Sequence, residues 1–281
     1  MKNEYLFKRK EKKYLLEPDK ANAFKEALFP YLEPETGKDG SPVSWRRSYY
    51  FESPDFKSYF DHRSRQDNRF KIRMRFYNAK EKIPNSGFME MKMKNKGETL
   101  KKRFKFDLDV VRAFLKSENW EEALMHVNAD FDRKSLVEIS NEITQTLERL
   151  KMQPVLFALY GRECLQDKQN GIRITFDSDL YFQATRNDFI TPERNMSFGP
   201  KNKIIMEIKT SQKKPTWLNR LTDRFELKSE SFSKYCYGVE ALYLDYFNQH
   251  KQIVENEFTE NKGVLEDVGI DNELLHYFQI D

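Results

Sequence analysis

The stretch DNRFKIRMRFYN (residues 67–78) decides how the rest of the chain is read. In an extended strand successive side chains point to opposite faces. Lys71, Arg73 and Arg75 therefore project from one face, while Ile72, Met74 and Phe76 project from the other. The apolar face needs a core. The cationic face is either a solvated side of an antiparallel sheet, which is the common case, or a surface built to hold an anion. One strand does not choose between these, so the pattern has to be followed along the chain.

It recurs. FKRKEKKYLL (7–16) sets Arg9, Glu11 and Lys13 opposite Tyr14 and Leu16, and FMEMKMK (88–94) sets Glu90, Lys92 and Lys94 opposite three methionines. LKKRFKFDL (100–108) places Lys101, Arg103 and Lys105 opposite Phe104 and Phe106. Further on, PVLFALYGREC (154–164) carries Tyr160 and Arg162 on one face, and GIRITFD (171–177) carries Arg173, Thr175 and Asp177. KIIMEIKT (203–210) presents Glu207 and Lys209 opposite Met206 and Ile208. RRSYYFE (46–52) reads as a further strand. Helical spacing of apolar residues appears at 17–32, with Pro18 in the first turn, after Pro215, and from SESFSKYCYG to about Gln249. Between residues 109 and 151 the period also becomes helical, which predicts a helical insertion between two sets of strands.

These cationic faces are dominated by Arg and Lys, and three of them contain a lone glutamate two positions before a lysine: Glu11, Glu90 and Glu207. A face shaped by solubility alone mixes its signs more evenly. The expected fold is α+β: an antiparallel β-barrel with helices packed outside and a helical insertion. Interior and exterior positions alternate along barrel strands, so closure would turn the cations inward to line a tunnel. Enclosed like charges repel unless a polyanion compensates them. Arginine's planar fork suits phosphate oxygens, lysine adds point charge, and carboxylates among them suit a divalent metal. Lys71 is expected near the rim of such a tunnel, and Arg73 and Arg75 inside it.

Composition is consistent with this. The chain has 281 residues, of which 33% are charged, with a formal net charge of +4. Residues 251–281 hold eight Asp or Glu against Lys251 and Lys262, a balance of −6, so the other 250 residues carry +10. A basic body points to an anionic partner. Residues 1–250 read as one domain and 251–281 as an acidic C-terminal tail. Cys164 and Cys236 are far apart with no CxxC, and His62, His126, His250 and His276 have no metal-ligand spacing and read as surface or edge residues. No signal-peptide core and no apolar run of spanning length occurs, so the expected location is cytoplasmic. No Walker-type or Rossmann glycine loop is present, so phosphates would be held by side chains.

In order and spacing, RKEKKYLL, SYYFESPDFKSYFDHRSRQDNRFKIRMRFY, FMEMKMK, LKKRF, LYGREC, GIRITFD, MEIKT and SFSKYCYG resemble the VTC domain, the polyphosphate polymerase branch of the CYTH-like triphosphate tunnel metalloenzymes, over residues 6–247. The resemblance implies a tunnel that binds ATP with manganese or magnesium and transfers its terminal phosphate to a growing inorganic polyphosphate chain, with pyrophosphate as a primer. It implies catalytic roles for Arg73, Arg75, Lys92, Arg162 and Arg173. Lys13, Lys101, Arg103, Lys209 and Lys234 would bind substrate and product, and Glu207, with Glu90 and Glu11, would hold the metal. It also implies that no nucleic acid is bound, and that any attachment to the inner face of a membrane comes through a separate membrane subunit. Related triphosphatases carry alternating glutamates on the first strand. Here a single carboxylate lies between Arg9 and Lys13, which favours the polymerase branch. Ser231 stands where eukaryotic members tend to have a second lysine. Two alternatives remain: a tunnel triphosphatase, and a non-catalytic polyphosphate-binding module. Base stacking is disfavoured, because the aromatics and methionines of these strands fall opposite the cations.

Overall fold

The computed structural model describes residues 5–6, 10–37, 40–78, 80, 84–96, 98–107, 109–110, 120–185 and 196–249. The acidic tail expected at 251–281 lies outside the described residues. Eleven strands form one antiparallel sheet: β1 (Tyr5–Leu6), β2 (Lys10–Leu16), β3 (Glu33–Pro34), β4 (Ser44–Glu52), β5 (Arg69–Tyr77), β6 (Ser86–Asn95), β7 (Glu98–Asp107), β8 (Gln153–Asp167), β9 (Ile172–Ala184), β10 (Met196–Phe198) and β11 (Ile204–Thr210). The order across the sheet is β1-β7-β6-β5-β4-β8-β9-β11-β2, with β3 added to β8 and β10 to β9. Six helices are described: α1 (Pro18–Leu28), α2 (Lys57–Arg63), α3 (Trp120–Val127), α4 (Arg133–Arg149), α5 (Thr216–Arg224) and α6 (Lys234–Gln249).

The apolar positions of the strands sort as their alternation requires. Ile72, Met74 and Phe76 join Phe104 and Phe106 in a core closed by Leu124 of α3 and by Leu136, Ile139 and Ile143 of α4. Tyr14, Leu16, Ile174, Phe176, Met206 and Ile208 form a second core under Phe24 and Leu28 of α1 and Leu218 of α5. Each fully buried side chain of this kind contributes about 1.5–3 kcal/mol. Helix boundaries follow local chemistry. Pro18 opens α1, where its missing N–H costs nothing, and the Asp132 carboxylate accepts from the Ser135 amide at 2.9 Å to cap α4. Gly171, at φ +63, turns β8 into β9 at a point where a Cβ would collide with Ser211.

Two expectations are corrected. First, α2 and α6 are not outside. They pack on the cationic side of the sheet, where Tyr59, Phe60, Tyr235, Val239 and Tyr243 meet Tyr50, Leu156, Ala158 and Phe182. That apolar patch exists because of a bulge. Asp179 adopts φ +52, and the β8–β9 register shifts between Leu159 and Gly161. Before the bulge the odd residues Arg173, Thr175 and Asp177 face this side; after it the even residues Leu180 and Phe182 do. One part of the face is therefore apolar and plugged, and the rest is charged.

Second, among the described residues the sheet does not close into a barrel. Its ends, β1 and β2, are consecutive in the chain and separated by four Cα steps of about 3.8 Å, so they lie within about 15 Å of each other there. Yet among the described residues no ladder joins β2 to β1 or β7. Where β2 runs past β11 its other edge meets the segment before α6, and the Lys13 carbonyl accepts from the Glu230 amide at 2.8 Å. The sheet nevertheless curls. Lys92 of β6 feels the charges of Glu11 and Lys13 on β2 and of Lys209 and Glu207 on β11, although four strands separate β6 from β11. In a flat sheet with strands about 4.8 Å apart, such a pair would be about 24 Å apart.

Candidate functional site

Three carboxylate-centred clusters occupy the charged part of this face. The first lies on β2 and β11, where Glu207 pairs with Lys13, and Lys209 with Glu11. Glu11 and Glu207 are diagonal neighbours across the two strands. Lys209 Nζ is 3.1 Å from Glu207 Oε2 and 3.8 Å from Glu11 Oε2, and Lys13 Nζ is 3.4 Å from Glu11 Oε1. Burial opposes the charge on Glu207. The neighbouring Glu11, with Lys209, Lys13 and Arg162, outweighs it and holds the carboxyl well below its ordinary value. Two side-chain carboxyl groups side by side form a hard oxygen donor set. Lys92, solvent-exposed on β6, lies across the curl within reach of this pair's charges, and partial desolvation lowers its affinity for a proton.

The second cluster surrounds Glu90 on β6, which is 2% exposed. Arg73 places Nε at 2.8 Å and Nη2 at 2.7 Å from Glu90 Oε2. Lys101 donates to Oε1, and Arg103 Nη1 is 3.8 Å from it. These contacts follow from register, since Arg73 and Arg103 lie directly opposite Glu90 on the two neighbouring strands. Burial acts against the carboxylate, but Arg73, Arg75 and Lys101 hold it ionised far below the usual range. Both of its oxygens are thus taken up by cations.

The third cluster joins Arg162 and Lys234, both expected in the site, to Asp177 and Tyr160, which were assigned no role from the sequence. Asp177 is completely buried and receives the Arg162 fork at 2.5 and 2.7 Å and Lys234 Nζ at 2.5 Å. Burial opposes its charge; Arg162 and Lys234 prevail and lower it to about 2. Tyr160 lies beside it, with the Lys234 ammonium 4.9 Å and the Arg162 guanidinium 5.4 Å from its ring centre. Arg75 Nη2 donates to the Tyr160 hydroxyl at 3.0 Å. Burial raises the phenol, and Arg75 and Arg162 more than reverse this, leaving it near 8. Both residues were legible as lying on cationic faces, beside Arg173 and Arg162 respectively.

The remaining expected residue, Arg173, stands apart from Asp177 toward the β8–β9 turn. It lies opposite Lys209 and donates to Glu35 Oε2 at 2.5 Å and to Gln166 Oε1 at 3.1 Å. Lys71 is not at a rim. It is half-buried against the start of α6, donating to Ser233 Oγ at 3.1 Å and lying 4.5 Å over the Tyr235 ring. His62 also departs from expectation. Burial and the neighbouring Lys71, Arg69, Lys13 and Lys92 drive its imidazole down to about 3, so it stays neutral beside the cations. No sequence motif marks it; its place follows from α2 packing on this face.

Fold and site together describe an α+β protein that gathers its cations, with a few carboxylates, on one face of a curled antiparallel sheet. The chain belongs to the VTC domain family, whose profile matches residues 8–243. No curated protein matches it. Among solved structures, an adenylate cyclase candidate from Bacillus halodurans is similar at 13% identity and a TM-score of 0.43, covering 79% of this chain and 92% of that one. A conserved hypothetical protein from Pyrococcus furiosus is similar at 12% identity and a TM-score of 0.37, covering 81% of this chain and 99% of that one. Among the described residues, no helix is long and apolar enough to cross a membrane.

Proposed function

We propose that the chain is a metal-dependent polyphosphate polymerase that transfers the terminal phosphate of ATP to an inorganic polyphosphate chain. The observation that carries this is the excess of cations, most of them half-buried, over carboxylates on one face, next to the neighbouring carboxyl groups of Glu11 and Glu207. An empty face of this kind is costly, and a bound polyanion removes the cost. In this reading the curled sheet encloses the phosphates as a tunnel.

The pair Glu11–Glu207 fits manganese or magnesium, which is commonly held by one or two carboxylates and completes its shell with substrate phosphate oxygens and water. Among the described residues no third His, Cys, Asp or Glu joins them, so the remaining ligands would have to be substrate phosphate oxygens and water. When bound, such a metal neutralises charge on the transferred phosphate. The protein's own groups do the positioning. Lys13, Lys209 and Lys92 flank the carboxylate pair and would hold the nucleotide's phosphates there. Arg162, fixed by its fork to Asp177, would present its remaining N–H groups to the transferred phosphoryl group. Arg73, Lys101 and Arg103 would continue the cationic track. A terminal phosphate oxygen of the acceptor attacks the γ-phosphorus, the bond to the β-phosphate oxygen breaks, and ADP departs with that electron pair. Phosphoryl transfer asks mainly for alignment and charge stabilisation, which this inventory supplies.

The test is to incubate the protein with ATP and manganese, with and without pyrophosphate, and resolve the products. A ladder of polyphosphate together with ADP, lost in Glu207→Gln, supports the polymerase. ADP with orthophosphate alone would make the protein a triphosphatase. Tight binding without turnover would make it a polyphosphate-binding module.

A further inference from the structure

An amine and a thiol that the mechanism does not use touch where β5 meets the start of α6. Lys71 Nζ is 3.5 Å from Cys236 Sγ, a residue 165 positions away in the chain. Ser233 Oγ holds both partners in place, accepting from Lys71 Nζ at 3.1 Å and from the Cys236 amide at 3.3 Å. Cys236 is a free thiol and 5% exposed, whereas Lys71 is half-buried, so a small solute reaches the pair from the lysine side. Burial lowers Lys71 to about 8, so on the order of a tenth of it is neutral amine at pH 7. Glu52, whose charge would favour the ammonium, is itself raised well above the usual carboxylate range by burial. Burial also raises the Cys236 thiol, and Lys71 and Ser233 draw it part of the way back. The chain's other cysteine, Cys164, is also free and lies beside Glu35 on β8. An oxidised Cys236 therefore has the Lys71 amine, not a second thiol, as its neighbouring nucleophile.

We propose that Lys71 and Cys236 form an oxidative modification site, at which hydrogen peroxide converts the pair into a sulfenamide cross-link between β5 and α6. This does not depend on the phosphoryl-transfer reading. The neutral Lys71 amine takes the thiol proton, and the thiolate, which is the nucleophilic form, attacks one peroxide oxygen. The O–O bond breaks, and its electron pair leaves with the other oxygen as hydroxide, which recovers the proton from Lys71 as water. Sulfur is oxidised to the sulfenic acid, and the peroxide is reduced. The freed amine then attacks the sulfenyl sulfur. The S–O bond breaks, hydroxide departs with that electron pair, and it takes a proton from the new N–S group as a second water. One peroxide is consumed, two waters form, and the protein loses two hydrogen atoms. An excess of small thiol reverses the link, first as a mixed disulfide with release of the amine and then as the free Cys236 thiol. The flexible lysine stem supplies the approach that bond formation needs. Lys234, two residues before Cys236, holds Asp177 at 2.5 Å, so the cross-link also pins that contact.

The experiment treats the full chain with hydrogen peroxide, removes the oxidant, and compares intact mass and peptide maps with the untreated protein. Wild type is expected to lose two hydrogens, to yield a peptide joining Lys71 to Cys236, and to return to its starting mass in dithiothreitol. Lys71→Arg keeps the positive charge but offers no nucleophilic amine, so it separates bonding from electrostatics. It is expected to form no cross-link and to accumulate Cys236 sulfenic acid, read as dimedone labelling several-fold above wild type. Oxidation should raise the melting temperature of wild type by several degrees, because a long loop is closed, and should not raise that of Lys71→Arg. A Cys236 that stays reduced in excess peroxide overturns the proposal. So does dimedone labelling of wild type equal to that of Lys71→Arg, or a cross-link that maps to another amine. If Lys71→Arg does not fold, the wild-type peptide map decides by itself.

Discussion

Glu90 and Glu207 read alike in sequence, each an isolated glutamate two positions before a lysine on a cationic strand, but the structure gives them different surroundings. Glu90→Gln tests that difference. The substitution keeps the shape and one acceptor oxygen but removes the charge that balances Arg73 and Lys101. Breaking a buried ion pair costs roughly 3–5 kcal/mol. Lys101 and Arg103 have side chains 32% and 35% exposed, and solvent screens part of their loss, so the lower end of that range, about 3 kcal/mol, applies here. At about 2–4 °C per kcal/mol for a domain of this size, the melting temperature in phosphate-free buffer should fall by about 6–12 °C. Pyrophosphate should recover more of the loss in the variant than it adds to wild type, since it replaces the missing negative charge. Manganese affinity in the presence of ATP, followed by the EPR signal of the free ion, should stay near the wild-type value. An unchanged melting temperature combined with lost manganese binding would refute the reasoning and make Glu90 a metal ligand.

Glu207→Gln should do the reverse for the metal, raising the manganese dissociation constant on the order of tenfold or more, which the same EPR titration measures. Stability of the ligand-free protein should rise between pH 8 and 9. Lys71 and Lys101, mainly through burial, and Tyr160, through Arg75 and Arg162, are lowered to about 8 in the folded state, from ordinary values of 10.5, 10.5 and 10.0. The unfolded chain keeps these protons where the folded one has released them, so unfolding is disfavoured as pH rises; a flat or falling melting temperature across that interval would contradict this. Tripolyphosphate affinity should weaken over the same interval as the two ammonium charges are lost, which calorimetry at the two pH values checks. Gly238→Ala should destabilise by about 1–3 kcal/mol, because a Cβ there meets Phe182 at 2.7 Å and Leu156 at 2.8 Å. The shift of α6 would also draw Lys234 from Asp177, so polymer synthesis should fall together with the melting temperature.

Much of this protein is local and was legible. The alternation in KIRMR, MEMKMK and MEIKT sets cations against apolar side chains because a pleated strand repeats every two residues, whatever it pairs with. Helical spacing gave helices at 17–32, after Pro215 and from SESFSKYCYG to about Gln249, and the structure places them at 18–28, 216–224 and 234–249. The strand alternation extended as far as placing Tyr160 and Asp177 on cationic faces, but it could not say what they touch. Helix α2 was not anticipated, since a seven-residue segment offers barely two turns of periodicity.

The remainder depends on which strands meet and how far the sheet curls. Register sets Arg73 and Arg103 on either side of Glu90 and leaves Glu11 beside Glu207, so one glutamate is locked among cations and the other two lie side by side. The bulge at Asp179 reverses the alternation midway along β9 and makes the apolar seat for α2 and α6. Arg46, buried on β4, places its hydrogen bonds on Ser44 and the Trp45 carbonyl, while Asp177, Glu90 and Glu35 are bonded to other cations. The sequence by itself determined which side chains would share a face, because the pleat is a property of a single strand. Only the tertiary structure decided which charge compensates which, because electrostatic pairing acts across strands that are distant in the chain and brought within a few ångströms by the curl.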